Sequence, residues 1–267
     1  MTIVLAARLP DPPAGDDLCL AVTGRKLVVA VDPAGDWRFP HVEDLDGTDD
    51  LVPVGTLDGV PVWAGRAPAA LAATHEPHGW TSVAARLPAP LAALAGRALQ
   101  IVTWRRTHRF CGSCGSELSD VDGEHARRCV SCELFVPMQL SPAVLVLIRR
   151  PSGELLLVRH TYGPTTIWAL VAGFVEAGES LEEAVHREVG EEVGLRVRDL
   201  SYRGSQPWAM SGPGVLLVGF SAVCADPAAE PVVDGREIAE AGWFPPAALP
   251  EPLPPGYSIS RWLIDGL

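Results

Sequence analysis

The 23 residues from Gly173 to Leu195, GFVEAGESLEEAVHREVGEEVGL, constrain the chain more than any other stretch. Ser180-Leu181-Glu182-Glu183 is a capping box: a Ser hydroxyl takes a free amide at a helix start while the Glu three residues on reaches back. The helix is therefore predicted to begin near Leu181. Leu181, Ala184, Val185, Val189 and Val193 recur at helical spacing as a narrow apolar stripe, and Gly194 stands where a left-handed C-terminal residue is wanted. Glu188, Glu191 and Glu192 fall at i, i+3 and i+4, so all three project to one side. Like charges so placed repel. Clustered carboxylates are what Mg²⁺ or Mn²⁺ prefers, and such ions are commonly shared with substrate phosphates.

A bare EVGEE segment would more often be a solvated acidic face. The spacing changes that reading. Gly173, five residues, Glu179, seven residues, Arg187-Glu188, an aliphatic Val189, then Glu191-Glu192, Gly194 and Leu195 match the fixed positions of the Nudix hydrolase signature, which the chain strongly resembles. Nudix enzymes cleave nucleoside diphosphates linked to another moiety, by metal-assisted attack of water on phosphorus. The resemblance implies Glu188 and Glu192 as metal ligands, Glu191 as a further ligand or water-activating group, and the carbonyl of Ala172 as another ligand. Arg187 reads as structural, orienting carboxylates through charge-assisted hydrogen bonds.

A chain of 267 residues suits one large or two modest domains with a real core. Its 21 basic and 33 acidic residues give a formal charge of −12, which disfavours a broad phosphate-backbone surface. The opening MTIVLAARLPDPP has no basic segment ahead of its apolar run and meets Pro and Asp too soon for a signal peptide. No apolar stretch reaches the roughly 18 residues of a membrane helix. The expectation is a cytoplasmic protein, where paired cysteines more often hold metal than form disulfides.

Residues 1–105 alternate short apolar runs with Pro, Gly and Asp, predicting a β-rich N-terminal domain that ends in a linking helix over Pro90 to Arg105. Nothing there names a chemistry. Residues 106–138 hold Cys111-Gly-Ser-Cys114, fourteen residues, then Cys129-Val-Ser-Cys132. Two such pairs present four thiolates tetrahedrally, as in a structural zinc ribbon, and four Cys ligands leave no open position for catalysis. His125 lies between the pairs as an alternative ligand, and two disulfides are the other reading of the same cysteines. Residues 139–267 read as strands around the signature helix, with a short helix at SISRWLIDGL. The predicted fold is α/β: a Nudix α/β/α sandwich preceded by the β-rich domain and the ribbon. Cys19 and Cys224 read as core residues.

Ser205-Gln206-Pro207-Trp208 follows the signature, and a Trp beside a Gln in a loop can stack on a base and hydrogen-bond beside it, although a buried structural Trp is an equal reading. A β-rich domain, a four-Cys ribbon, the box and then SQPW is the arrangement of the NAD(H) pyrophosphatase branch, which the chain resembles over nearly its whole length. That resemblance implies cleavage of NADH or NAD⁺ to AMP and a nicotinamide mononucleotide, Mg²⁺ or Mn²⁺ at the box, Zn²⁺ in the ribbon, and a homodimer with active sites at the subunit interface. It also matches Glu237 to a late metal-binding Glu, and Glu124, Phe174 and Ser260 to substrate contacts, beside Ser205, Gln206 and Trp208.

The chain departs from the branch where substrate is selected. After SQPW the branch continues Pro-Phe-Pro, any residue, Ser, whereas this chain has Ala209-Met210-Ser211-Gly212-Pro213-Gly214. Val136 replaces a substrate-contacting Tyr, and the basic contact expected near Ser82 falls on alanine, with Arg86 as its stand-in. Pyrophosphate cleavage is therefore the firmer expectation, with NAD(H) or a related ADP-ribosyl compound as substrate. Decapping of NAD-capped RNA is a second reading, which the acidic charge disfavours. A noncatalytic nucleotide-sensing module is a third, which the complete set of box carboxylates disfavours.

Overall fold

The computed structural model describes residues 1–45, 50–163, 165–209, 214–233 and 235–266. Of the altered loop, residues 210–213 lie outside the described residues. The chain divides into two compact units, Met1–Leu140 with Trp208–Gly214, and Ser141–Pro207 with Val215–Leu267. The ribbon thus groups with the N-terminal region, and Trp208, the last residue of its strand, joins that unit as well.

In the first unit the chain forms β1 (Ile3–Leu5), β2 (Leu18–Thr23), β3 (Lys26–Val31), β4 (Trp37–Arg38), β5 (Val52–Leu57), β6 (Val60–Arg66) and β7 (Glu76–His78), then α1 (Trp80–Arg86) and α2 (Ala89–Thr107). Among the described residues the sheet runs β1-β5-β6-β2-β3-β4, with β7 also on β3. Only β2 and β6 pair in parallel, Leu18 opposite Val62. The helix predicted over Pro90 to Arg105 is α2, one residue longer at its start and two at its end. Its Leu94, Ala95, Ala98, Leu99 and Ile101 are buried with Leu20, Leu27 and Val54 of the sheet. Gly96 is required by the neighbouring ring, because a Cβ there would lie 2.8 Å from Trp80. The ribbon follows as β8 (Leu118–Asp120), β9 (Ala126–Cys129) and β10 (Phe135–Pro137), in the order β10-β9-β8.

In the second unit β11 (Ser141–Arg149) is the central strand, and Ala143 to Ile148 are buried on both of its faces. A strand covered on both sides reads as a continuous apolar run, which is why PAVLVLI shows no alternation. It pairs in parallel with β15 (Val215–Cys224), Ser141 opposite Val215 through Arg149 opposite Val223. It is antiparallel to β12 (Leu155–His160) and, at its other end, to β13 (Val171–Phe174). With β14 (Val197–Trp208) and β16 (Ile238–Phe244) the order is β14-β15-β11-β12-β16.

α3 (Leu181–Val193) covers one face, burying Ala184, Val185, Val189 and Val193 against Val144, Val146 and Ile148. α4 (Ile259–Asp265) covers the other, with Ile259, Leu263 and Ile264 against Leu145 and Leu147. Each such aliphatic side chain contributes about 1.5–3 kcal/mol on burial. The capping box forms as the sequence requires: the Glu183 amide donates to Ser180 Oγ at 3.2 Å and the Ser180 amide to the Glu183 carboxylate at 2.8 Å. Gly194 closes the helix in the left-handed region at φ 66°.

The stretch expected as a loop at SQPW is instead the end of β14. Pro207 cannot donate to a ladder, and β14 lies at the edge of its sheet, where proline is tolerated. Among the described residues no helix is long and apolar enough to cross a membrane.

Candidate active site

The box is assembled where β13 meets α3. Glu188 is buried, and its carboxylate lies directly against Gly173, where a Cβ would fall far inside van der Waals contact of the carboxyl carbon and both oxygens. Glycine is thus needed at 173 for space rather than for backbone freedom.

Arg187 organises the remaining carboxylates. Its Nε donates to Glu179 Oε1 at 2.6 Å and its Nη2 to Glu179 Oε2 at 3.0 Å, a two-point grip of the kind that fixes orientation. Nη1 donates to Glu188 Oε1 at 2.8 Å and to Glu191 Oε2 at 3.0 Å, and Nη2 also donates to the Phe174 carbonyl at 2.8 Å. One guanidinium thereby ties the helix, the box loop and β13 together. The cation holds Glu179 below the usual carboxylate range, helped by the Glu176 amide, which donates to it at 2.9 Å. Glu179 and its neighbours in turn keep Arg187 fully protonated.

Glu192 is only 4 % exposed and neither of its carboxylate oxygens has a hydrogen-bond partner. Burial, then the charge of Glu188, push its carboxyl up to about 8. Glu188 is raised in the same way, burial outweighing Arg187. The Ala172 amide pulls the other way but makes no contact of full hydrogen-bond geometry, and a buried carboxylate so poorly satisfied is unstable as an anion unless a cation reaches it. Glu191, by contrast, is mostly exposed, with Oε2 on Arg187.

Glu237 acts on both Glu188 and Glu192 through its charge. Its backbone is fastened by Thr161, whose amide donates to the Glu237 carbonyl at 2.8 Å. Two residues that no motif marks sit beside these carboxylates. Burial and the charges of Glu192, Glu237 and Glu188 push the Tyr162 phenol up to about 12, while burial holds the His160 imidazole down. The end of β12, which holds His160, and the residues just after it, which hold Tyr162, bring them there. The carboxylates are not drawn tightly together: among the described residues, the one group of three or more such side chains with ligand atoms within 4.8 Å is the four cysteines. Mutual repulsion and the diversion of Glu191 to Arg187 account for the spread.

The remaining sequence candidates fall in varied surroundings. Ala172 lies in β13, paired with Leu145, and Phe174 is 53 % exposed. Gln206 spends its amide internally, donating to the Tyr257 carbonyl at 2.7 Å and accepting from the Ile259 amide at 2.8 Å, which anchors the start of α4. Ser205 Oγ accepts from Tyr202 at 3.4 Å. Ser260 Oγ is buried without a partner. In the first unit Trp208 meets Trp80 edge-on at 6.1 Å, and Gln100 donates to its carbonyl at 3.3 Å. Glu124 is exposed, Val136 packs against Cys111 and Cys129, and Arg86 stacks on Trp37 at 5.2 Å.

Cys111, Cys114, Cys129 and Cys132 bring their sulfurs together, Cys111 to Cys132 at 3.7 Å, Cys114 to Cys129 at 3.4 Å and Cys114 to Cys132 at 3.6 Å. Four thiolates about 2.3 Å from a tetrahedral zinc would stand about 3.8 Å apart, whereas a disulfide needs about 2.05 Å. The set fits zinc and not two disulfides. The Cys132 amide donates to Cys129 Sγ at 3.4 Å. His125 is not part of the group. Its Nε2 is buried without a partner, and burial with the charges of Arg97 and Arg105 holds it down to about 4.

Residues 139–263 match the NUDIX domain, and residues 106–136 match the NADH pyrophosphatase zinc ribbon domain. The NAD-capped RNA hydrolase NudC of Deinococcus radiodurans is 40 % identical over 96 % of this chain and 89 % of its own length. The chain belongs to the Nudix hydrolases. The protein of the same name from Pseudomonas fluorescens is 42 % identical over 79 % of this Nudix hydrolase and 75 % of its own length. A MutT NUDIX hydrolase structure from Burkholderia pseudomallei is 26 % identical, with a TM-score of 0.40 over 48 % of this chain and 97 % of that one. This Nudix hydrolase carries both the hydrolase box and the ribbon of the NADH pyrophosphatase type.

Proposed function

We propose that the protein hydrolyses the pyrophosphate bond of NAD(H), or of a closely related ADP-linked compound, to AMP and a nicotinamide mononucleotide or its equivalent. The observation that carries this reading is Glu192: a buried carboxylate with both oxygens unpartnered, beside a second buried carboxylate held against Gly173. Those donors fit a hard divalent cation, Mg²⁺ or Mn²⁺, held by Glu188, Glu192 and Glu237 with Glu191 and the Ala172 carbonyl as further ligands. Such an ion supplies charge neutralisation at the phosphates and lowers the pKa of water. Arg187 keeps Glu188 and Glu191 oriented before substrate arrives. Glu191 is the exposed carboxylate of the set, and Oε1, which accepts no hydrogen bond from Arg187, is the atom suited to take a proton from water. In the reaction the water oxygen bonds to phosphorus, the bridging P–O bond breaks, and the leaving oxygen departs on the second monophosphate.

Phe174, beside the box, and Ser205 and Ser260 are the proposed substrate contacts. Gln206 contributes by holding α4, while Trp208 and Glu124 rest on family resemblance alone. The chain is further proposed to act in the cytoplasm as a homodimer with Zn²⁺ in its ribbon. A second reading, cleavage of NAD at the 5′ end of RNA, is favoured by the name of relatives that match most of the chain.

Both readings are tested by mass analysis of products from NADH, NAD⁺, ADP-ribose and a 5′-NAD oligoribonucleotide with Mn²⁺. AMP with reduced nicotinamide mononucleotide from NADH supports the first, and faster release of nicotinamide mononucleotide from the oligonucleotide supports the second. Absence of phosphorus–oxygen cleavage in all four would overturn both.

A further inference from the structure

A pocket lies in the same unit as the box, lined by none of the box carboxylates. It has a volume of about 350 Å³ and opens between α4 and strands β11, β14 and β15. Its floor is Leu147 and Leu263, which belong to the core beneath α4, whereas α3 packs in the core on the other side of the sheet. One wall is Trp262, 49 % exposed and fixed by its Nε1 donating to the Gly256 carbonyl at 2.9 Å. Arg149 and Arg203 also line it, and Ser221 adds a hydroxyl.

Three properties point to a ligand. The guanidinium groups of Arg149 and Arg203 have no ion pair or hydrogen bond among the described residues, although those of Arg105, Arg127, Arg150, Arg159, Arg187, Arg198 and Arg261 are all paired with carboxylates. No acidic side chain lines the pocket, in a chain whose formal charge is −12. A half-exposed indole lines the same pocket as the apolar Leu147 and Leu263 and the two cations. Planar guanidinium groups are suited to phosphate, an exposed indole to stacking, and the volume to one small molecule rather than a polymer.

We propose that this pocket is an accessory site for a nucleoside monophosphate, its base on Trp262 and its phosphate on Arg149 and Arg203. The site is separate from the hydrolytic carboxylates and does not depend on which pyrophosphate they cleave.

Photolabelling of the zinc-loaded chain with 8-azidoadenosine monophosphate, without added Mg²⁺ or Mn²⁺, tests this by peptide mapping. Label is expected on peptides of β14 or α4, competed by AMP and at least tenfold less well by adenosine or inorganic phosphate alone. R149A/R203A should weaken AMP competition about tenfold, and R203E alone should do the same, with the circular dichroism spectrum unchanged. Label confined to residues 171–195, competition by adenosine equal to that by AMP, or undiminished labelling in both variants would overturn the proposal.

Discussion

The carboxylate of Glu188 rests against the α-carbon of Gly173, with no room between them for a methyl group. Alanine at 173 must therefore displace either the strand or the carboxylate. G173A is expected to lower kcat at least about 100-fold, since a displacement of about 1 Å in a catalytic group has that scale of effect. Zinc content should be unchanged, as the ribbon belongs to the other unit. Turnover within a factor of two of wild type would show that Glu188 is not fixed by this contact.

Arg187 grips Glu179 at two points and reaches Glu188, Glu191 and the Phe174 carbonyl besides. Lysine keeps the charge but has no planar fork, so it can satisfy only some of these acceptors. R187K should reduce kcat about 10- to 100-fold and raise the Mn²⁺ concentration needed for half-maximal rate, as expected for an outer group that orients ligands. A titration of rate against Mn²⁺ identical to wild type would refute that role.

Glu192 sets a pH dependence whose sign is fixed by its raised value. Without a divalent ion the folded carboxyl titrates at about 8, above its ordinary 4.5, so folding favours the protonated form. The associated stability is fully present below about pH 4.5 and is lost as pH rises through about 8. In the absence of Mg²⁺ and Mn²⁺, E192Q should lose less Tm than wild type between pH 5 and 8, while its turnover with metal is nearly abolished. Added Mn²⁺ should restore the wild-type Tm at pH 8 and have little effect on E192Q. Parallel Tm curves for the two proteins would count against an unpartnered carboxylate at 192.

The four sulfurs stand at spacings suited to one tetrahedral ion. Elemental analysis should find one zinc per chain, and C129S should lose it. Because Cys111, Leu118 and Cys129 form the small buried cluster of the ribbon, zinc loss should also open residues 106–138 to proteolysis. A metal-free chain with an equally resistant ribbon would contradict a structural role.

Local signals carried the box helix. Ser180, the stripe ending at Val193 and Gly194 define α3 within its own residues, and the two CxxC pairs define the ribbon. What depends on distant pairing was not legible. SQPW reads as a loop from its sequence, yet it is the end of β14, at the edge of its sheet. Tyr162 and His160 carry no motif: Tyr162 feels the charge of Glu192 and His160 that of Glu237 only because β12 ends beside them. The amide of Gln206 could be assigned to a ligand or to α4 on sequence alone, because its partners Tyr257 and Ile259 lie some fifty residues away. The parallel pairing of β2 with β6 has no local signature at all.

The central place of β11 has a consequence for biosynthesis. Its parallel partner β15 is made only after the whole box, and Glu237 follows later still. A growing chain that has reached Leu195 has the residues of α3 and its capping box, while the strand that pairs in parallel with β11 has yet to be made. Non-local pairing of this kind forms late. The sheet beneath the box is therefore completed only once Val215–Cys224 has been made.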